Sequence, residues 1–359
     1  MNKYGLILCC RICYSLDLRV EKNPGQIYPR GVGSLCIDIR KSAFYVTRFD
    51  FNIEGVFSKP VSPGKSPCYN NRRNAELTMN IDSAKQLGIT RCGNTEFRWG
   101  ERTYIMGIVN VDPDSFSGDG LRDVNAAIAQ GKQFASEGAN IIDVGGESTR
   151  PGFEPISADE ELRRVLPVVE GLAGELKVPV SIDTYKSEVA QRAVAAGAIM
   201  INDVWELKRD PKLARLAAEA GVPLVISQNQ RDSRFHDLFP ELVASLKKSV
   251  QVALDAGVDW NNIIIDPGVG FGKTVEQNVE IVRRLAELKV IGRPILLGTS
   301  RKSFIGNVLD LPVDQRLEGT AATVAIGIAN GADIVRVHDV AQMVRVVRMS
   351  DVIVRGKKS

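Results

Sequence analysis

The sequence predicts an α/β fold, a parallel (β/α)8 TIM barrel with a poorly ordered N-terminal extension. Three observations carry this. From about Thr95 onward, short β-branched runs alternate with amphipathic helical stretches, the pattern of a parallel sheet covered by helices. Eight such runs occur within about 260 residues, the count and length of one barrel. Polar and charged residues gather where the runs end, and in a barrel those ends converge on the working face. A doubly wound sheet is the alternative architecture.

The expected strands are Tyr104–Asn110, Asn140–Val144, Val178–Ile182, Ala198–Asp203, Pro223–Ser227, Asn261–Asp266, Arg293–Leu297 and Asp333–His338. Between them, helical periodicity covers Val124–Glu137, Ala158–Leu172, Pro211–Ala220, Pro240–Ala256 and Val275–Leu288. Asp210-Pro211 reads as a helix start, with the acidic residue as cap and proline at the first helical position. Gly138, Gly197, Gly221, Gly257 and Gly331 follow helical segments, where a left-handed C-cap suits glycine.

Residues 1–95 read differently, so the organisation expected is an extension over 1–95 and a barrel over 96–359. The extension shows no sustained helical or strand period, and its turn-rich stretch Ser58–Arg73 offers little apolar surface to offset ordering entropy. All six cysteines lie at or before Cys92. Cys10 and Cys13 form a CxxC, but no second pair completes a zinc set, and no secretory signal accompanies a disulfide framework. A cytoplasmic protein is expected. A net charge of +3 without a basic stripe argues against nucleic acid. No apolar stretch approaches the roughly 20 residues that span a bilayer.

The first strand leads into Asn110-Val111-Asp112-Pro113-Asp114-Ser115-Phe116, and the second into Asp143-Val144-Gly145-Gly146-Glu147-Ser148-Thr149-Arg150-Pro151-Gly152. Others end at Asp183, Asn202-Asp203, Asp266, Ser300-Arg301-Lys302 and Arg336-Val337-His338-Asp339. One Asp after a strand is usually a cap or turn former. Seven strand ends carrying such groups are not explained as seven caps.

In their order these stretches resemble the signatures of the dihydropteroate synthases, a pterin-binding family. The carriers are Ile105–Asn110 with Pro113–Ser117, Asp143–Gly152, Ser181–Thr184, Ile201–Val204, Asp266–Thr274, Ser300–Ser303 and Arg336–Val340, and the resemblance covers about residues 92 to 357. It implies a transferase that condenses 6-hydroxymethyl-7,8-dihydropterin pyrophosphate with p-aminobenzoate, giving 7,8-dihydropteroate and pyrophosphate in folate biosynthesis. Asp183, Asn202 and Asp266 would meet the aminopyrimidinone edge, and Lys302 the pterin carbonyl and ring nitrogen. Arg150, Arg336 and His338 would receive pyrophosphate, with Asn110 beside a Mg2+ cofactor. With Lys302, these three would be the catalytic groups, because charge on the leaving group is what needs stabilising. Thr149, Ser300 and Arg301 would shape the p-aminobenzoate side, where sulfonamides would compete. The resemblance further implies a homodimer built on outer helices, with small molecules and neither nucleic acid nor membrane as partners.

Two places depart from the family: Asp112 stands where Thr is usual, and Ser227-Gln228 where Met-His is common. An inactive pterin-binding homologue is one alternative. A methyltetrahydrofolate-dependent methyltransferase is another, although it has no use for the Arg150, Arg336 and His338 anion site.

Overall fold

The computed structural model describes residues 87–111, 123–148, 154–229 and 235–356. Every described residue belongs to the unit Thr78–Ser359. The extension up to residue 86, Asp112, Thr149 and Arg150 lie outside the described residues.

A hairpin of β1 (Ile89–Cys92) and β2 (Thr95–Arg98) comes first. Eight strands follow: β3 (Tyr104–Asn110), β4 (Ile141–Gly145), β5 (Val180–Asp183), β6 (Met200–Asp203), β7 (Leu224–Ser227), β8 (Ile263–Asp266), β9 (Leu296–Leu297) and β10 (Ile334–Val337). They pair in parallel in the order β8-β7-β6-β5-β4-β3-β10-β9. The sheet's two edges meet where Ile265 bridges to Ile295 and donates its N–H to Pro294 O at 3.0 Å. The helices are α1 (Val124–Glu137), α2 (Ala158–Glu175), α3 (Ser187–Ala195), α4 (Lys212–Ala220), α5 (Leu238–Asp255), α6 (Val275–Arg284), α7 (Ser303–Leu309), α8 (Leu317–Ala329) and α9 (Val340–Arg355). This is the TIM barrel that the alternation of runs predicts.

Successive strand residues face opposite sides of the sheet, and here each side has its own core. Ile142, Val144, Ile201, Ile226, Ile265 and Val335 pack with the helices. Met106, Ile141, Met200, Val225, Ile264, Leu296 and Ile334 form a second apolar cluster on the barrel axis. Two positions further along the same inward faces stand Asp143, Asn202, Ser227, Asp266, Gly298 and Arg336. An apolar floor therefore lies beneath a polar layer, and the polar layer sits at the C-terminal mouth.

The hairpin closes the floor from below. Phe97 and Trp99 stack with centroids 5.5 Å apart, Tyr104 meets both edge-on, and Trp99 Nε1 donates to Thr90 Oγ1 at 2.9 Å. The boundary expected at residue 95 thus runs through an ordered hairpin. A four-residue strand with only Thr90 and Cys92 buried is too short for its alternation to register. The Cys92 thiol is held by Ile199 O at 2.9 Å, and burial pushes it up to about 12, which makes it unreactive.

Local signals behave as the chemistry demands. The helix expected to begin at Pro211 begins one residue later, at Lys212, with Pro211 at the cap position, and Asp210 Oδ1 accepts the Lys212 N–H at 3.1 Å. Gly138 ends α1 with φ 111°, a backbone that a side chain resists. The seventh strand is shorter than expected because Pro294 has no N–H to give a ladder. Arg293, expected in that strand, instead lies buried at the lower end with its guanidinium 4.3 Å from the Trp260 ring.

Candidate active site

Asp143 is the hub of the polar layer. Its Oδ2 accepts from Arg336 Nε at 2.6 Å and from Asn202 Nδ2 at 2.9 Å. Arg336 Nη2 reaches Asp183 Oδ2 at 2.5 Å. Strand register makes this possible, since Gly145 pairs with Asp183 and Asp183 with Asn202. Burial pushes the Asp183 carboxyl well above the usual carboxylate range even against the pull of Arg336, and neighbouring Asp143 adds to the rise. Two acceptors in this group, Asp143 Oδ1 and Asn202 Oδ1, are buried without a partner. An unmet buried acceptor costs about 1–3 kcal/mol, so these atoms mark where a ligand would bring N–H donors.

A second group stands at the end of β8. Asp266 accepts the Gly268 N–H on Oδ1 at 2.7 Å and the Ser227 hydroxyl on Oδ2 at 3.1 Å. Burial raises the pKa of its carboxyl, with Lys302 and the Gly268 N–H opposing. Lys302 donates to Val269 O and holds its ammonium 4.7 Å from the Phe271 ring centre. Gly270, at φ 87°, lets it pass, because a Cβ there would come within 3.1 Å of Lys302 Cδ. The two groups meet across Gly298, where an added Cβ would lie 3.9 Å from both Arg336 Cβ and Lys302 Nζ.

The loop after β9 supplies the rest. Ser300 Oγ accepts the His338 backbone N–H at 3.2 Å and lies 2.9 Å from His338 Nδ1. In the tautomer where the Ser300 hydroxyl donates to Nδ1, the imidazole proton lies on Nε2. Burial, then Arg301 and Arg336, push His338 down to about 3. The imidazole is therefore neutral in this site and not a cation. Arg301, at φ 55°, is clamped by Asp339 through Nε at 3.0 Å and Nη2 at 2.5 Å. Ser300 thus orients His338, while Arg301 braces the loop.

The sequence-predicted set divides cleanly. Asp183, Asn202, Asp266, Lys302, Arg336, His338, Ser300 and Arg301 all lie at the C-terminal mouth; Asn110 ends β3 there; Thr149 and Arg150 lie outside the described residues. Asp203, next to Asn202, is a turn former, taking the Trp205 and Leu207 N–H groups at 2.8 and 2.5 Å. Sequence reasoning did not single out Asp143 for the site. Its inward period, two residues after Ile141, was the signal available. Lys273 was missed too. It is half-buried, contacts Gln228 Oε1 at 2.5 Å and Gly268 O at 2.9 Å, and desolvation of the ammonium pushes it down to about 7.

A parallel barrel whose mouth holds carboxylates, an amide, a lysine and an arginine defines a binder of flat heterocycles with polar edges. Residues 106–338 match the family described as pterin binding enzyme, and the chain belongs to that family. Dihydropteroate synthase of Bacillus subtilis is 52% identical over 252 residues, 70% of this chain and 88% of that protein. That of Clostridium beijerinckii is 50% identical over 74% of this chain and 99% of its own length. Among solved structures, dihydropteroate synthase from Clostridium difficile in the presence of pteroic acid is 50% identical, with TM-score 0.69 over 72% of this chain and 99% of that one. The Xanthomonas albilineans enzyme with 4-aminobenzoic acid is 40% identical, with TM-score 0.69 over 74% and 97%. The Yersinia pestis enzyme in complex with a sulfonamide drug is 36% identical, with TM-score 0.72 over 75% and 100%.

Proposed function

We infer that this chain is a dihydropteroate synthase, a transferase that joins the dihydropterin pyrophosphate to p-aminobenzoate. The observation that carries the reading is the pair of buried unpartnered acceptors, Asp143 Oδ1 and Asn202 Oδ1, in a mouth that also offers Asp266 and Lys302. An aminopyrimidinone edge presents adjacent N–H donors that such acceptors satisfy, and a carbonyl that an ammonium satisfies. Identity near 50% to two synthases supports the same activity.

In the reaction the methylene C–O bond breaks with its electrons going to pyrophosphate. The arylamine nitrogen forms the new C–N bond and then loses a proton. Asp143, Asn202, Asp266 and Lys302 hold the ring so that the methylene faces the amine. Arg336, whose Nε and Nη2 are taken by Asp143 and Asp183, keeps Nη1 for the leaving group. His338 contributes its Nε2 proton, and Arg150 a second guanidinium.

Mg2+ would be held through the amide oxygen of Asn110, half-buried at the end of β3. Mg2+ takes oxygen donors, keeps several waters, and would lower the charge on the departing pyrophosphate.

A homodimer and a cytoplasmic setting complete the proposal. Ile326 on α8 is 51% exposed, and Met349 and Ile353 on α9 are 60% and 71% exposed, a patch that a second copy would cover. No helix among the described residues is long and apolar enough to cross a membrane. The deciding experiment measures 7,8-dihydropteroate formation from both substrates with Mg2+, and competition by a sulfonamide. Absence of product with folded protein and retained pterin binding would favour an inactive homologue.

A further inference from the structure

The turn after β8, Gly268–Phe271, is touched by two lysines. Lys302 donates to Val269 O inside it and holds its ammonium 4.7 Å from the Phe271 ring centre. Lys273 donates to the carbonyls at its two ends, Gly268 O at 2.9 Å and Phe271 O at 3.3 Å. The backbone passes close to both side chains: a Cβ at Gly268 would lie 3.3 Å from Lys273 Nζ, and one at Gly270 would lie 3.1 Å from Lys302 Cδ. The Lys273 ammonium also meets Gln228 Oε1 at 2.5 Å and Gln228 O at 3.5 Å, and the Gln228 N–H donates to Asp266 O at 2.9 Å. One cation thus joins the end of β7 to the turn that Lys302 grips. It is held there at a cost. Desolvation pushes the ammonium down to about 7; Asp266 opposes this, and the neighbouring Lys302 charge adds to it. An apolar side chain would fill the place without that penalty. What an ammonium supplies, and an apolar group cannot, is N–H donors in three directions, enough to hold carbonyls at both ends of a turn. Gln228, one of the two departures from the family, contributes a directional acceptor to the same ammonium. Asn278 on α6 is the rival fastening, since its Oδ1 accepts the Gly270 N–H at 2.7 Å.

We propose that Lys273 is a positioning residue for Lys302: by clamping both ends of the Gly268–Phe271 turn against Gln228, it fixes the carbonyl and the ring that aim the Lys302 ammonium into the pterin site. The inference rests on the proposed reading of Lys302 as a contact to the pterin carbonyl and ring nitrogen.

The test measures the affinity of the full-length enzyme for 6-hydroxymethylpterin by fluorescence quenching. The variants are Lys273→Met, Gln228→Met, Lys302→Ala and the double change Lys273→Met with Lys302→Ala. Lys273→Met is expected to weaken binding about tenfold, the scale of one hydrogen bond to a charged group. Because the effect passes through Lys302, the same change made on top of Lys302→Ala should cost less than about twofold more. Gln228→Met leaves Lys273 its three carbonyl acceptors and is expected to weaken binding about threefold. It keeps the proposal testable where Lys273→Met fails to fold. Wild-type affinity in Lys302→Ala would overturn the reading of Lys302 as a pterin contact, and this role with it. An impaired Lys302→Ala beside a folded Lys273→Met with wild-type affinity would overturn the role of Lys273 alone and leave Asn278 as the fastening. So would losses that multiply in the double variant, since they mark a general loosening that does not pass through Lys302. If Lys273→Met does not fold, wild-type affinity in Gln228→Met has the same force.

Discussion

Arg336 and Asp143 stand 193 residues apart in the chain and 2.6 Å apart in space, Nε to Oδ2. Parallel pairing of β10 with β3 and of β3 with β4 sets Arg336 level with Met106 and Ile141, two residues before Asp143 on the same inward face, and the long arginine side chain covers that step. The guanidinium then spans to Asp183, so one arginine fastens the ends of β4 and β5. Removing it leaves two carboxylates uncompensated, whatever it also does for pyrophosphate.

Arg336→Lys is accordingly expected to be far from conservative. A lysine ammonium concentrates its donors on one nitrogen and lacks the planar fork that reaches Asp143 through Nε and Asp183 through Nη2 at once. Turnover should fall by about 100-fold in kcat/KM, roughly 2.7 kcal/mol of transition-state stabilisation, with a modest drop in melting temperature. Steady-state kinetics near wild type would remove Arg336 from catalysis.

Truncation separates the extension from the barrel. A chain beginning near Gln86 keeps the hairpin, including Leu87, whose carbonyl accepts from Arg293 Nη2 at 3.2 Å. It is expected to fold and retain activity. A chain beginning at Tyr104 loses Phe97 and Trp99, both buried under the barrel. Losing one such aromatic typically costs about 3–5 kcal/mol, so losing both approaches the whole stability of a typical domain. Thermal melts decide it: an unstable Gln86 start would make the earlier segment structural, and a stable Tyr104 start would make the hairpin dispensable.

These features were not equally legible in the sequence. The strand ends were, because Asp183, Asn202 and Asp266 each close a β-branched run, and runs of that kind have one plausible place in a barrel. Asp143 was visible only as part of a motif. Its role comes from facing inward beside Asn202 and Arg336, and that depends on register across several strands. Lys273 follows a glycine-rich turn that reads as exposed, yet four acceptors fold around its ammonium. The hairpin escaped notice because its two strands are four residues each and bury few side chains. The charge on His338 could not be read at all, since it depends on burial and on Arg301 and Arg336 together.

That charge carries a pH signature. Folded His338 is pushed down to about 3, whereas an unfolded histidine titrates near 6.5. Between those values the unfolded chain binds a proton that the folded chain refuses, so stability falls as pH drops through the window. The slope reaches at most about 1.4 kcal/mol per pH unit. Half-buried Asp183 and buried Asp203 and Asp333, all raised, act in the opposite direction over much of the range, losing stability as pH rises. The contrast between variants isolates the histidine: His338→Gln should lose less melting temperature than wild type between pH 6.5 and 4.5. Parallel curves would mean that folded and unfolded His338 titrate alike.

Ser227 tests how finely the pterin pocket is built. It is fully buried in the polar layer, where the family commonly has Met, and its hydroxyl donates to Asp266 Oδ2 at 3.1 Å. Two effects compete in Ser227→Ala. Freeing Oδ2 makes it a more available acceptor for the ring, which would tighten binding. Losing the donor also leaves Asp266 held by the Gly268 N–H alone, raises its carboxyl further, and lets it rotate away from the ring edge. A hydrogen bond to a charged group is worth about 1.5–3 kcal/mol, more than a second pairing gains at an edge already received by Asp143 and Asn202. Loosening should therefore win, and Ser227→Ala is expected to raise the KM for the pterin pyrophosphate by about tenfold, the lower end of that range. The KM for p-aminobenzoate should stay near wild type, because no Ser227 contact involves the loop after β9. A lower pterin KM would show that the hydroxyl competes with the substrate for Asp266 and does not position the carboxylate for it.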